Sequence, residues 1–161
     1  MTEFYAQPYS TDHTGFYFDS VENFEAGMDK LNAKGCDEVE IQFIDGDAHL
    51  AQLAKSAYIG QGDIIFWFEQ LEDLDEEAVT KICFLLDTGY ELKQALERYD
   101  DVYLHHGTAE DYAYDLINDT CDVPDYLANY IDYKAIARDM ELNGEISEIE
   151  HELIVTNALE F

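Results

Sequence analysis

Apolar residues recur along this chain at two spacings, and the switches between them mark out short elements. Glu3 to Tyr9 and Gly15 to Asp19 are runs rich in Phe and Tyr joined by a polar loop, a pattern that predicts two strands. Ser20 then precedes Val21, Phe24, Met28 and Leu31, an apolar stripe at helical spacing with an N-capping residue in front of it. Glu22, Glu25 and Asp29 fall on the opposite side, and Gly35 follows as a C-cap. Val39, Ile41 and Phe43 alternate with Glu38, Glu40 and Gln42, which predicts a half-buried strand with one acidic face. Asp45-Gly46-Asp47 turns the chain into a short Ala/Leu helix ending near Tyr58. Residues 1–58 therefore read as an antiparallel sheet carrying a helix.

Two close glycines in Tyr58-Ile59-Gly60-Gln61-Gly62 suggest a hinge. Asp63 is placed to cap a helix running through Gln70, and Asp75 to cap the next, with Leu74 and Val79 as a hydrophobic staple and Glu76 and Glu77 in its first turn. That helix has Ala78, Val79, Ile82, Leu85 and Leu86 on its apolar face and stops at Gly89; a third holds Leu92, Ala95, Leu96 and Tyr99. Val102 to His106 reads as a strand. Thr108, with Asp111 three residues on, then forms a capping box for a helix from Ala109 to Thr120. Its apolar side is Ala109, Tyr112, Ala113, Leu116 and Ile117. After Val123-Pro124 and Tyr126 to Tyr130, a helix is expected from about Ile131 to Leu142, with Tyr133, Ile136, Ala137 and Met140 inward and Gly144 as its stop. Strands Ile146 to Ile149 and Leu153 to Val155, around a Glu150-His151-Glu152 turn, close the chain. The expected class is α+β and elongated, with mixed subdomains at 1–58 and 100–161 around an all-helical middle at 59–99.

Charge changes this picture. Thirty-seven Asp and Glu face eight Lys and Arg, a net charge of −29 on 161 residues. A hydrophobic fraction of 47% and an aromatic fraction of 14% separate the chain from disordered acidic tails, which lack aromatics. At one charge per ~1.7 Å of duplex, this net charge equals that of about 50 Å of B-DNA, whereas a compact chain of this length is only roughly 40 Å across. Such self-repulsion opposes compaction and excludes nonspecific nucleic-acid binding. It is densest from Asp100 to Asp132, where nine carboxylates meet no Lys or Arg. There Asp111, Asp115 and Asp119 repeat every fourth residue, continued by Asp122, at a cost of about 0.2–0.5 kcal/mol per like-charge pair. Solubility, a halophilic composition and chaperoning of basic partners are competing explanations of an acidic surface.

Candidate chemistry adds little. Cys36, Cys83 and Cys121 are odd in number and form no CxxC pair, which fits a reducing cytoplasm rather than a disulfide scaffold. The longest apolar run, Ile64 to Phe68, is too short to span a bilayer, and an anionic membrane surface would repel the chain. His105, His106 and Cys121 lack zinc-ligand spacing, and no Walker loop, GxGxxG or GxSxG occurs. No catalytic residue, metal or cofactor is expected.

Asn129-Tyr130-Ile131-Asp132-Tyr133, followed by Arg138-Asp139 and Gly144 and preceded by Val123-Pro124-x-x-Leu127, resembles the C-terminal motif of the ArdA antirestriction family. The likeness extends more loosely through the helical middle from Ile59, and in length and charge. Toward the N-terminus the chain departs from the family's Tyr-Asn-x-Gly turn and Gly-x-Trp strand, reading Tyr9-Ser10-Thr11-Asp12-His13-Thr14-Gly15-Phe16-Tyr17. The resemblance implies an elongated dimer that mimics bent B-form DNA and occupies the DNA groove of a type I restriction-modification enzyme, at its methyltransferase core. It implies an inhibitor, not an enzyme.

The acidic surface expected on this basis comprises Glu22, Glu25, Asp29, Glu38, Glu40, Glu72, Asp73, Glu76 and Glu77, and, further along, Asp100, Asp101, Glu110, Asp111, Asp115, Asp119, Asp122 and Asp125. The family's dimer contact is similar in position to Val102–Tyr133, which points to Val102, Leu104, Val123, Tyr126, Leu127, Tyr130 and Tyr133; aromatics are enriched at such joins. The alternative is a mimic directed at another DNA-binding target, such as a CRISPR effector.

Overall fold

A computed structural model describes residues 1–161. The chain is α+β, with a small three-stranded antiparallel sheet near each end. It divides into two compact units, residues 1–96 and 97–161. Three segments were expected; in the structure, residues 59–96 belong to the same unit as the first sheet.

In the first unit, β1 (Glu3–Pro8) lies between β2 (Phe16–Phe18) and β3 (Val39–Asp45). Register places Phe4 opposite Phe18 and Phe43, so the inward positions of all three strands meet as aromatic rings. Helix α1 (Val21–Asn32) starts where expected, with Ser20 accepting a bond from the Asn23 amide, and buries Phe24, Met28 and Leu31. A side-chain carbon at Gly27 would collide with the Phe16 ring, so glycine there lets α1 approach the sheet closely. Helix α2 (Ala48–Ser56) packs along α4 (Glu76–Asp87), whose Val79, Ile82 and Leu85 are fully buried. Asp75 caps α4 by accepting from the Ala78 amide.

Between them, the helix expected from Asp63 to Gln70 forms as an unbroken helical run whose hydrogen-bond period changes twice along it. A 3-10 turn (Gln61–Asp63) leads into α3 (Ile64–Phe66) and then a π-helical turn (Trp67–Leu71) closed by the Glu72 amide bonding the Trp67 carbonyl. Ile64, Trp67 and Leu71 are fully buried. Trp67 meets Phe4 edge to face at 5.2 Å and Phe43 at 6.3 Å. Asp63 stands at the N-cap of α3 as expected, but its carboxylate bonds backward, accepting from the Gly60 amide at 2.9 Å rather than from an amide of the helix it precedes.

Helix α5 (Leu92–Arg98) crosses the division between units. In the second unit, β6 (Leu153–Val155) is the central strand between β4 (Leu104–His106) and β5 (Ser147–Glu150). Helix α6 (Ala109–Thr120) packs against α8 (Tyr133–Leu142), with a four-residue helix α7 (Asp125–Ala128) between them in sequence. Helix α8 starts two residues later than expected, because Asp132 is its cap and accepts from the Ala135 amide at 2.9 Å. Val102, Ala113, Ile146, Ile154 and Val155 form the buried centre of this unit. Arg98 lies over the Phe161 ring, 4.8 Å from its centroid.

Candidate functional site

The carboxylates face outward because the opposite side of each element is anchored in apolar packing. On α1, Glu22, Glu25 and Asp29 stand away from the buried Phe24, Met28 and Leu31. On β3, Glu40 points outward beside Gln7 of β1, while Val39 and Phe43 face the core. Glu38, Asp73, Glu76, Glu77, Asp100, Asp101, Glu110 and Asp125 are exposed as well. Glu72 is the exception. It is half-buried and accepts from the Thr2 amide at 2.8 Å, tying two segments seventy residues apart within the first unit.

Helix α6 holds the acidic row. The Thr108 hydroxyl accepts from the Asp111 amide at 3.1 Å, and the Asp111 carboxylate accepts from the Thr108 hydroxyl at 2.6 Å and its amide at 2.9 Å. These donors hold the Asp111 carboxyl below its usual range, with the nearby His105 adding to the effect. One and two turns on, Asp115 and Asp119 are exposed. Asp122 does not continue the row: the helix ends at Thr120, and Cys121 is already extended (φ −122°, ψ 134°), which removes Asp122 from helical register.

Opposing charge is sparse. Lys81 pairs with Glu77 at 2.7 Å, Arg98 with Asp101 at 3.8 Å and Arg138 with Asp139 at 3.1 Å. Three such pairs leave most of the thirty-seven acids without a cation. The surface is thus a field of carboxylates held on regular elements, and it suits a cationic partner.

The seven apolar residues expected at a subunit join separate in the structure. Tyr126, Leu127 and Tyr130, on and just after α7, are 74%, 44% and 84% exposed. Val123 and Leu104 are half-buried. Tyr133 is half-buried, its ring edge-on to Tyr114 at 5.0 Å. Val102 is fully buried in the core of its own unit and has no surface to offer a second chain.

His105 and His106 project differently, as adjacent strand residues do. His105 is half-buried against the Tyr112 ring at 5.3 Å, and His106 is exposed. No group of three or more His, Cys, Asp or Glu is arranged to hold a metal ion. No helix is long and apolar enough to cross a membrane.

A family model described as antirestriction protein (ArdA) matches residues 8–155. The chain belongs to the ArdA family. The match contains the whole C-terminal motif from Val123 to Gly144, and it also spans Tyr9 to Tyr17, where the chain departs from the usual ArdA pattern. No curated protein matches the chain. Within the ArdA-matched span lie all the acids of the expected surface and the exposed Tyr126, Leu127 and Tyr130 on and just after α7.

Proposed function

We propose that this chain inhibits type I restriction-modification enzymes in the cytoplasm by presenting its carboxylates to the groove that binds DNA. The observation that carries this reading is the α6 row. Asp115 and Asp119 stand one turn apart on a helix fixed by its capping box, and neither forms an ion pair or a hydrogen bond. Protein sites for DNA place Lys and Arg against phosphates, and that contact is strongly salt-dependent. Rigid carboxylates meet the same cations without sugar or base. The protein acts by occupancy rather than catalysis. Two copies join through Tyr126, Leu127 and Tyr130, which doubles the length of the acidic track; the exposure of these three side chains supports that join.

Competition with duplex DNA for a purified type I methyltransferase core, measured across a salt series, tests the reading. Displacement of DNA at low salt that fades steeply as salt rises is expected. An absence of displacement at low salt would falsify it. The join is tested separately by Tyr130→Asp: the mass in solution is expected to fall to that of one chain, and an unchanged dimer mass places the join elsewhere.

A further inference from the structure

His105 of β4 carries a nitrogen that the fold leaves unsatisfied. The residue is half-buried, and its Nε2 is sealed from water with no hydrogen-bond partner. Its ring lies against Tyr112 of α6. Between Nε2 and Asp111 stands Gly107, where a side-chain carbon would sit 2.8 Å from Nε2 and 3.4 Å from the Asp111 Cβ. The Gly107 amide donates to the Glu152 carbonyl at 2.8 Å and its φ is +150°, so the backbone itself keeps this gap open. Asp111 supplies the carboxylate of the α6 capping box, with both Thr108 donors on Oδ2 and none on Oδ1. The other charges around this point are turned to water. On β6, Ile154 opposite His105 is fully buried and Glu152 is exposed, and Glu148 of β5, in the same row, is exposed. Glu110 of α6 and Asp132, Lys134, Arg138 and Glu141 of α8 are exposed along the groove outside the first turn of α6.

We propose that His105 is a proton-operated latch on α6: charging its ring draws the Asp111 carboxylate off Thr108 and loosens the first turn of the helix. A neutral imidazole keeps one hydrogen, and placing it on Nδ1 leaves only an unused lone pair at the sealed Nε2. The charged ring carries a hydrogen on both nitrogens. Nε2–H then becomes a buried, charged donor without an acceptor, which costs more than a neutral bond left unmade. Asp111, across the Gly107 gap, has an oxygen to offer, and the charge of His105 is one of the causes that hold its carboxyl low. Closing the gap satisfies the imidazolium and takes the carboxylate away from the Thr108 amide and hydroxyl. Histidines change charge between about pH 8 and pH 5. Protonation of Asp111 itself opens the box only below its ordinary value of 3.8, so the two events fall in separate ranges. The latch belongs to α6 itself and operates whatever partner that helix meets.

Amide and imidazole NMR on the full chain, from about pH 8 to pH 5, is the test. The Thr108 and Asp111 amides are expected to move along the titration curve of the His105 ring, and not along those of the exposed His106 and His151. The Ala135 amide, bonded to the cap Asp132 of α8, is the reference and is expected to stay still. Hydrogen exchange at the Asp111 and Tyr112 amides, corrected for the intrinsic pH dependence, is expected to speed up about fivefold once the ring is charged, the effect of losing a helix cap. His105→Gln is expected to abolish both responses. Asp111→Asn is a second route should that variant fail to fold: His105 still titrates, and the Thr108 amide no longer follows it. A Thr108 amide that stays still while His105 titrates overturns the proposal, as does a ring that stays neutral throughout the range. Slower exchange in acid also overturns it, because the charged ring then reinforces the box instead of opening it. Persistence of the Thr108 titration in His105→Gln assigns the response to another group and overturns it equally.

Discussion

Replacing Asp119 by Asn tests whether the acidic row is kept against the interest of folding. Asp119 lies in the last turn of α6, where the helix carries no basic residue to meet the negative end of its dipole. A carboxylate there is unfavourable by about 0.3–1 kcal/mol. Asp115 one turn back, about 5–6 Å away, adds roughly 0.2–0.5 kcal/mol of repulsion. Asp119 makes no hydrogen bond or ion pair that offsets these terms, so Asp119→Asn is expected to stabilise the chain by about 0.5–1.5 kcal/mol. For a protein of this size each kcal/mol moves the midpoint by about 2–4 °C, so Tm rises by roughly 1–6 °C. The gain is electrostatic and must shrink with salt. The screening length falls from about 30 Å at 0.01 M to about 3 Å at 1 M, shorter than the gap between the two carboxylates. Thermal melts followed by circular dichroism at both salt levels measure it. The same variant is expected to compete less well with DNA. A lower Tm, or a gain that is the same at both salt levels, would refute the energetic reasoning. A higher Tm with undiminished competition would show that Asp119 plays no part in recognition.

Thr108→Ala removes the α6 cap and is expected to cost about 1 kcal/mol at neutral pH, read by urea unfolding. The Asp111 carboxyl is lowered from its ordinary value of 3.8 by Thr108, so its contribution is present above that value and lost as pH falls through the folded one. The gap between wild type and Thr108→Ala is therefore widest near neutrality and narrows in acid; a constant gap from neutral pH to well below 3.8 counts against the pairing. Among the cysteines, Cys36 and Cys83 are buried and Cys121 is exposed, and burial pushes the Cys83 thiol up. Iodoacetamide on the native protein is expected to label Cys121 alone, by intact-mass and peptide analysis, with the other two reacting only after unfolding. Native labelling at Cys83 contradicts the packing of α4.

Caps carry much of what is legible in the amino-acid order alone. Ser20, Asp75 and the Thr108/Asp111 box are local, spanning three residues, and each bonds as the spacing predicts. The alternation of Val39, Ile41 and Phe43 likewise reappears as one inward face of β3. The features that local patterns miss involve distant partners. The apolar run Ile64 to Phe68 fits a helix of either register, and the π turn answers to the packing of Trp67 against Phe4 and Phe43, which no local pattern encodes. Glu72 has the sequence surroundings of one more surface acid, yet it bonds the Thr2 amide across seventy positions. Asp122 keeps the four-residue rhythm approximately, but the helix has already ended at Thr120. Asp132 carries a legible capping signal inside a conspicuous Tyr-Ile-Asp-Tyr motif, whose apolar residues make it read as part of the helix it in fact begins. Gln61 likewise reaches back to the Asp37 carbonyl and the Val39 amide, a pairing across more than twenty residues that periodicity does not encode.

Trp67 is the chain's single tryptophan, and it is fully buried among phenylalanine rings in the first unit. Its fluorescence is therefore a private signal. It reports the loosening of residues 1–96 and stays silent about residues 97–161, whose aromatic emission comes from tyrosine. Helical circular dichroism averages over both units, so comparing it with selective excitation of the indole tells whether the two melt together, and which half a bound partner tightens.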